Sequence, residues 1–337
     1  MVVKKEKYKA LVVEETGPGV FERKIRDRVI GDLPPGEVLI RVKYSSLNYK
    51  DALSASGNKA VTKNYPHTPG IDAAGIIEKS ETDKFRAGDQ AIVHGYDLGM
   101  NTSGGFGQYI RVPASWVVEL PEGIELKESM IYGTAGFTAA MSVAKLVESV
   151  RPEDGEILVT GATGGVGCVA VAILSKLGYT VVAGSGKSNA KDFLQKLGAK
   201  EVIGREELKQ DLHRPLAKAR WAGVVDTVGG ELLAAAIKAT KPHGVVTCCG
   251  NVASPDLPLN VYPFILRGVT LVGIDAQNCR MAVRKQIWKK LATDWKISAL
   301  DKLYKEVSLH ELSFEIDQML KALHLGRILV DLGSLPK

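Results

Sequence analysis

The sequence predicts a two-domain α/β protein, a β-barrel-like domain joined to a doubly wound parallel sheet. Three observations carry this. The 337 residues suffice for about two domains at roughly 100–200 residues each. Residues 1–123 read as short β-rich runs broken by turn chemistry. After Glu125 the pattern changes to apolar strands alternating with helices, which signals a parallel sheet covered on both faces.

In the first domain, residues 8–14, 37–44, 74–78, 90–94, 107–112 and 116–120 have strand length and β-rich composition. Pro34-Pro35-Gly36, Thr68-Pro69-Gly70, Ala87-Gly88-Asp89 and Pro121-Glu122-Gly123 punctuate them. Residues 127–132 and 136–150 read helical. Six apolar strands follow, over 157–160, 180–183, 201–203, 223–226, 245–249 and 269–273, with helices over 165–177, 189–197 and 230–239. From about residue 277 the chain is helical again, then forms a strand over 303–307, an amphipathic helix over 308–325 and a last strand over 327–331.

Composition excludes several classes. Apolar residues are 45% and charged residues 24%, ordinary globular values that argue against disorder or a fibrous repeat. The net charge of +6 is spread among acidic residues. The densest basic group, Arg280, Arg284, Lys285, Lys289 and Lys290, alternates at helical spacing with Met281, Ile287, Trp288 and Leu291. It reads as a solvated helix face, so no nucleic-acid partner is expected. The opening residues carry Lys4, Lys5, Lys7 and Lys9 without an apolar core of signal length, and no stretch approaches about 18 uncharged apolar residues. No membrane partner and a cytoplasmic location are the expectations. The four cysteines, Cys168, Cys248, Cys249 and Cys279, form no C-x-x-C pair, so neither a disulfide framework nor a cysteine-rich zinc site is expected.

The strongest motif is Gly161-Ala162-Thr163-Gly164-Gly165-Val166-Gly167, set between an apolar strand and a helix. A strict G-x-G-x-x-G would have glycine where Ala162 stands. The context still specifies a dinucleotide site: a tight turn lets backbone amides and the positive helix end meet a pyrophosphate, and Gly167 lets the helix pack close. The next strand ends in Gly184-Ser185-Gly186-Lys187-Ser188, with no carboxylate to read a ribose 2′-hydroxyl. Ser185 can hydrogen-bond a 2′-phosphate, Lys187 can pair with it, and Arg205 past the third strand can close the site, so NADP (NADPH) is the expected cofactor. Gly186-Lys187-Ser188 imitates the end of a phosphate-binding P-loop, but Val181 occupies the position of its first glycine.

Ser45-Ser46-Leu47-Asn48-Tyr49-Lys50-Asp51, Pro69-Gly70-Ile71-Asp72-Ala73-Ala74-Gly75, Gly133-Thr134-Ala135-Gly136-Phe137-Thr138-Ala139 and residues 160–167 resemble the zinc-free medium-chain dehydrogenase/reductases. The resemblance runs the length of the chain. Pro263-Phe264-Ile265-Leu266-Arg267-Gly268 with Gly273-Ile274-Asp275 is similar to the acrylyl-CoA reductase branch, quinone oxidoreductase-like. It implies a GroES-like β-barrel catalytic domain over 1–123, a Rossmann NADP-binding domain over 124–276, and a return to the catalytic domain over 277–337. It also implies Gly164, Gly165, Val166 and Gly167 on the pyrophosphate, Ser185, Gly186, Lys187 and Arg205 around the 2′-phosphate, and Tyr49, Thr138, Asn251, Ile265 and Ala276 toward the rest of the cofactor.

Zinc-dependent members of that superfamily would carry a cysteine at the position of Asn48 and a His-Glu pair at Ile71 and Asp72. Without those ligands no metal is expected. The remaining chemistry is hydride transfer to an already electrophilic carbon of a small-molecule substrate with an activated double bond. Tyr49 can give the proton or orient water, or it can simply wall the pocket. Asn48 can hydrogen-bond an enolate oxygen or the cofactor ribose. Asp51 reads as a turn or cap carboxylate. The branch usually has a His-Trp pair where Thr102-Ser103 stand, so acyl thioester, enone and quinone all remain open as substrates. A short-chain dehydrogenase is excluded, since none of the ten tyrosines has lysine four residues on. A cofactor-binding sensor or structural protein without turnover stays as the alternative. A homodimer is expected, built by joining the edges formed by residues 269–274.

Overall fold

A computed structural model of the chain describes residues 6–334. They form two compact units: Met1–Thr134 with Gln277–Ala292 and Tyr304–Lys337, and Ala135–Ala276 with Thr293–Leu303. The border falls inside the helix Leu126–Val147, not at the turn over 121–123. The reason lies in residues 131–134, whose backbone is bonded to groups of the first unit before the helix continues. Gly133 interrupts that helix with φ +52° and ψ −158°, a conformation open to glycine and strained for other residues. This helix is also long and apolar enough to cross a membrane by length and composition, against the expectation from sequence. Of its most apolar window 72% is buried within the protein, as in the core helix of a globular fold.

The first unit is built on strands β1 (Lys7–Gly17), β2 (Val20–Val29), β3 (Val38–Leu47), β4 (Asp72–Ser80), β5 (Gln90–His94), β6 (Tyr109–Val112) and β7 (Val117–Glu119). Two late strands, β14 (Tyr304–Ser308) and β15 (Arg327–Asp331), return to it after the six strands of the second unit. The seven-stranded sheet has the order β14-β15-β3-β4-β5-β7, with β6 also paired to β3. Its pairs are antiparallel except β14 with β15. Leu11, Val38, Ile40, Phe106, Ile110, Ile328 and Val330 are among its core residues. β3 alternates buried and half-buried residues at first, as a strand with one wet face should. Its end is buried on both faces at Ser45, Ser46 and Leu47.

β2 escapes sequence reading because it alternates charged residues with half-buried ones and lends the core little. Its partner is β1, in an antiparallel ribbon. The helix expected over 308–325 is shorter, Leu312–Leu320. The basic helix needs correction at one residue, since Arg280, Lys285 and Lys289 are exposed as expected. In Met281–Ala292, Arg284 shares the inner face with Ile287, Trp288 and Leu291 and is fully buried, as spacing i, i+3, i+4, i+7 dictates. It donates to the carbonyls of His94 (2.8 Å) and Gln277 (3.2 Å) and lies 4.6 Å from the Tyr96 ring centre. It therefore serves the core and not a solvated basic face.

The second unit holds β8 (Glu156–Val159), β9 (Thr180–Gly184), β10 (Glu201–Ile203), β11 (Trp221–Asp226), β12 (Thr240–Cys248) and β13 (Thr270–Gly273) in one sheet of order β10-β9-β8-β11-β12-β13. Every pair is parallel. The order reverses between β8 and β11, the place where a doubly wound sheet opens a crevice at its carboxyl edge. β11 is buried along its whole length, as a strand with both faces covered should be.

Candidate active site

At the carboxyl end of β8 the glycine turn has the geometry that its spacing predicts. Gly161 has φ +58°, and the Gly164 amide closes the turn on the Gly161 carbonyl at 2.9 Å. A Cβ on Gly167 would lie 2.4 Å from that same carbonyl oxygen, so only glycine lets the helix Gly165–Lys176 start so close to the strand. The amides of its first turn have no carbonyl within the helix to bond, which makes its mouth a seat for an anion.

Across the switch point, buried Asp226 bolts β11 to β8. Thr160 Oγ1 donates to its Oδ1 at 2.6 Å, and the amides of Val228 and Gly229 donate to its Oδ2 at 3.2 and 2.8 Å. Burial raises its carboxyl pKa. Sequence reading passed over Asp226; its signal was a lone carboxylate closing an otherwise apolar strand.

The end of β9 carries Ser185, which is buried, and its Oγ accepts the Lys187 amide at 3.1 Å. Arg205 opens the helix Arg205–Lys209 after β10 and lies over Gly186, where a Cβ would meet its Nε at 2.5 Å. The Lys187 pKa is lowered by burial first and by the Arg205 charge second. Two cations thus converge on one strand end. Asn251 and Ala276 follow β12 and β13 at the same edge of the sheet, and Thr138 is buried in the helix Leu126–Val147, its carbonyl accepting from Ser142 Oγ. Ile265 does not join them. It is 68% exposed on the helix Tyr262–Arg267, whose last residue donates to the carbonyls of Lys238 and Thr240 at the start of β12, the opposite end of the sheet.

In the first unit, Tyr49 opens the helix Tyr49–Ser54 and is 44% exposed, whereas Asn48, its N-cap, turns inward. Asn48 Nδ2 donates to Asp72 Oδ2 at 2.7 Å, and its Oδ1 accepts from Arg327 Nη1 at 3.3 Å. Both ends of the amide are engaged by protein groups. Asp72 is fully buried and also accepts from Ser46 Oγ, from the Thr134 amide at 3.0 Å and from Thr134 Oγ1. Asp51 is the cap residue expected: Oδ2 accepts the Asn48 amide at 2.8 Å and Oδ1 the Ile71 amide at 2.7 Å.

The comparisons with known proteins fall on both units. Residues 34–122 match the alcohol dehydrogenase GroES-like domain, and residues 165–293 match the zinc-binding dehydrogenase domain. Acrylyl-CoA reductase AcuI of Ruegeria pomeroyi is 39% identical over 97% of this chain and 100% of its own length. The chain belongs to the medium-chain dehydrogenase/reductase family. Among solved structures, the yhdH oxidoreductase from Salmonella enterica in complex with NADP superposes with a TM-score of 0.93 at 39% identity, covering 96% of this chain and 99% of that one. Bacillus subtilis protein yhfP with NAD bound gives 0.94 at 42% identity, covering 97% and 100%.

The zinc that the second domain's description implies does not fit this member of the family. Asn48, Ile71 and Asp72 offer one carboxylate among them, and that carboxylate is already filled with donors. Among the described residues no group of three or more His, Cys, Asp or Glu is arranged to hold a metal.

Burial pushes the Asp51 carboxyl up to about 7, the Asp72 charge acts in the same direction, and the Ile71 and Asn48 amides oppose both. A folded pKa above the unfolded value gives stability that is full below about pH 4 and lost as pH rises through about 7. Asp51→Asn removes this titration. The wild-type protein should therefore lose melting temperature relative to Asp51→Asn between about pH 5 and pH 8. Thermal melts of both proteins across that range measure it, and parallel curves would contradict the burial argument.

Proposed function

We propose that the chain is an NADPH-dependent reductase of an activated double bond, in an acrylyl-CoA-like acyl thioester, an enone or a quinone, working without a metal. The observation that carries the cofactor choice is the convergence of Lys187 and Arg205 beyond a strand end that holds no carboxylate. Two like charges at close range repel, and a 2′-phosphate between them turns that cost into attraction. If each charge-assisted contact contributes about 1.5–3 kcal/mol, two imply on the order of 100-fold or greater preference for NADPH over NADH. The NADP complex of the Salmonella relative supports this reading. The NAD complex of the Bacillus relative makes the preference the quantity to measure.

Bound NADPH supplies a hydride to the electrophilic carbon, and a proton must then reach the enolate or the reduced quinone oxygen. The exposed Tyr49 is the candidate donor, held at the start of its helix by Asn48 and Asp51. Gly164, Gly165, Val166 and Gly167 would take the pyrophosphate on their backbone. The name of the Ruegeria relative supports an acyl thioester as substrate. The test is NADPH oxidation with acrylyl-CoA, small enones and quinones. Turnover of at least one is expected, and binding of NADPH without turnover of any would favour the sensor. In the same assay Lys187→Ala with Arg205→Ala should raise the KM for NADPH and leave NADH use nearly unchanged. Equal losses with both cofactors would show that these side chains hold the fold.

The same reading places the protein in the cytoplasm as a homodimer. β13 ends the sheet, and Val261, Tyr262, Ile265 and Leu266 beside it are exposed, an edge that invites a second chain. Light scattering should give about twice the chain mass of 36.3 kDa. A mass near that single value at micromolar concentration would reject the dimer.

A further inference from the structure

Five oxygen groups converge on one buried guanidinium. Arg327 begins β15 and is 2% exposed. Its Nη2 donates to Ser46 Oγ at 2.8 Å, its Nη1 to the Leu47 carbonyl at 3.4 Å and to Asn48 Oδ1 at 3.3 Å, and its Nε to the Ile131 carbonyl at 3.0 Å. Asp72 Oδ2 is 4.0 Å from Nη2. These partners come from β3, from the turn after it, from the start of β4 and from the helix Leu126–Val147.

We infer that Arg327 is a built-in counter-cation and positioning residue: its planar guanidinium fills an oxygen-lined seat beside Asp72 and thereby fixes the Asn48 turn that presents Tyr49. The seat suits this group for three reasons. The fully buried carboxylate of Asp72, 4.0 Å from Nη2, needs positive charge nearby, because an uncompensated buried charge is strongly destabilising. The acceptors surround a plane, and guanidinium sends donors outward in a rigid fork where an ammonium is a point charge. Asn48 is held at Oδ1 by Arg327 and at Nδ2 by Asp72, so the cation and the anion together lock the cap under Tyr49. No donor in the seat is a thiolate or an imidazole, which is why a soft metal would gain little there.

The inference rests on the reductase reading only where turnover is measured, so its decisive test is a binding experiment. Arg327→Ala leaves the seat without its cation, and free guanidinium ion, ordinarily a denaturant, serves as the probe. At about 1–20 mM guanidinium chloride the melting temperature of Arg327→Ala should rise saturably by several degrees, as for any ligand of the folded state. The wild-type melting temperature should stay level or fall, and equal concentrations of ammonium chloride or urea should not raise that of the variant. Arg327→Lys keeps the charge and loses the fork; it should fold with a lowered melting temperature. Its kcat should fall at least about tenfold with the KM for NADPH within about twofold, since a displaced cap disturbs Tyr49 and not the glycine turn, Lys187 or Arg205, which would hold the phosphates.

The inference is overturned if Arg327→Ala follows the wild type in guanidinium, if it folds neither with nor without the ion, or if Arg327→Lys melts and turns over like the wild type. If the wild type turns over no substrate, the reductase reading fails and the melting curves still decide the role of Arg327.

Discussion

A carboxylate removed from water must find donors on every side, and Asp72 imposes that demand on the catalytic unit. Burying the ion costs several kcal/mol, while hydrogen bonds to a charged group contribute about 1.5–3 kcal/mol each. Ser46, Asn48 and Thr134 supply such bonds, and Arg327 supplies the nearby charge. Several local features follow. Residue 133 must be glycine, because a Cβ there would lie 2.5 Å from Asp72 Oδ2 and 2.4 Å from Ser46 Oγ. Ser46, at the end of a strand that otherwise buries apolar residues, donates to the Asp72 carboxylate, and Ser45 beside it donates to the Asp72 backbone carbonyl.

The second unit solves a different problem with backbone. A pyrophosphate needs many donors and little bulk, and the turn from Gly161 to Gly167 provides amides and a helix end with no side chain in the way. Asp226 and Thr160 tie the ends of β8 and β11 together. Charge enters only at the rim, through Lys187 and Arg205. A site assembled this way would separate affinity for a dinucleotide, which backbone provides, from the proposed choice between NADPH and NADH, which a few side chains decide.

That division explains what could be read from the sequence. The parallel sheet was legible because buried strands show as apolar runs, and the cofactor turn because its chemistry lies within seven consecutive residues. The Asp72 cluster was not legible as a unit. Its members are drawn from β3, β4, a helix and β15, and the Arg327 bonds to Ser46 and Ile131 span 281 and 196 residues. Asn48 was found by resemblance, yet its direction depends on Arg327, a residue that looks like an unremarked cation at the head of an apolar strand. Arg284 misled for a different reason: its spacing from Ile287, Trp288 and Leu291 sets it on the apolar face, but the basic residues around it read as one solvated face.

In this unit the buried Asp72 carboxylate has an internal cation beside it in Arg327, and among the described residues no cluster suits zinc, which is the basis for proposing metal-free chemistry. The most direct measurement is the zinc content of the purified chain after growth with zinc supplied, taken together with NADPH oxidation before and after exposure to a chelator. The account predicts well under about 0.1 zinc per chain and unchanged activity. Close to about one zinc per chain, lost together with activity, would contradict it.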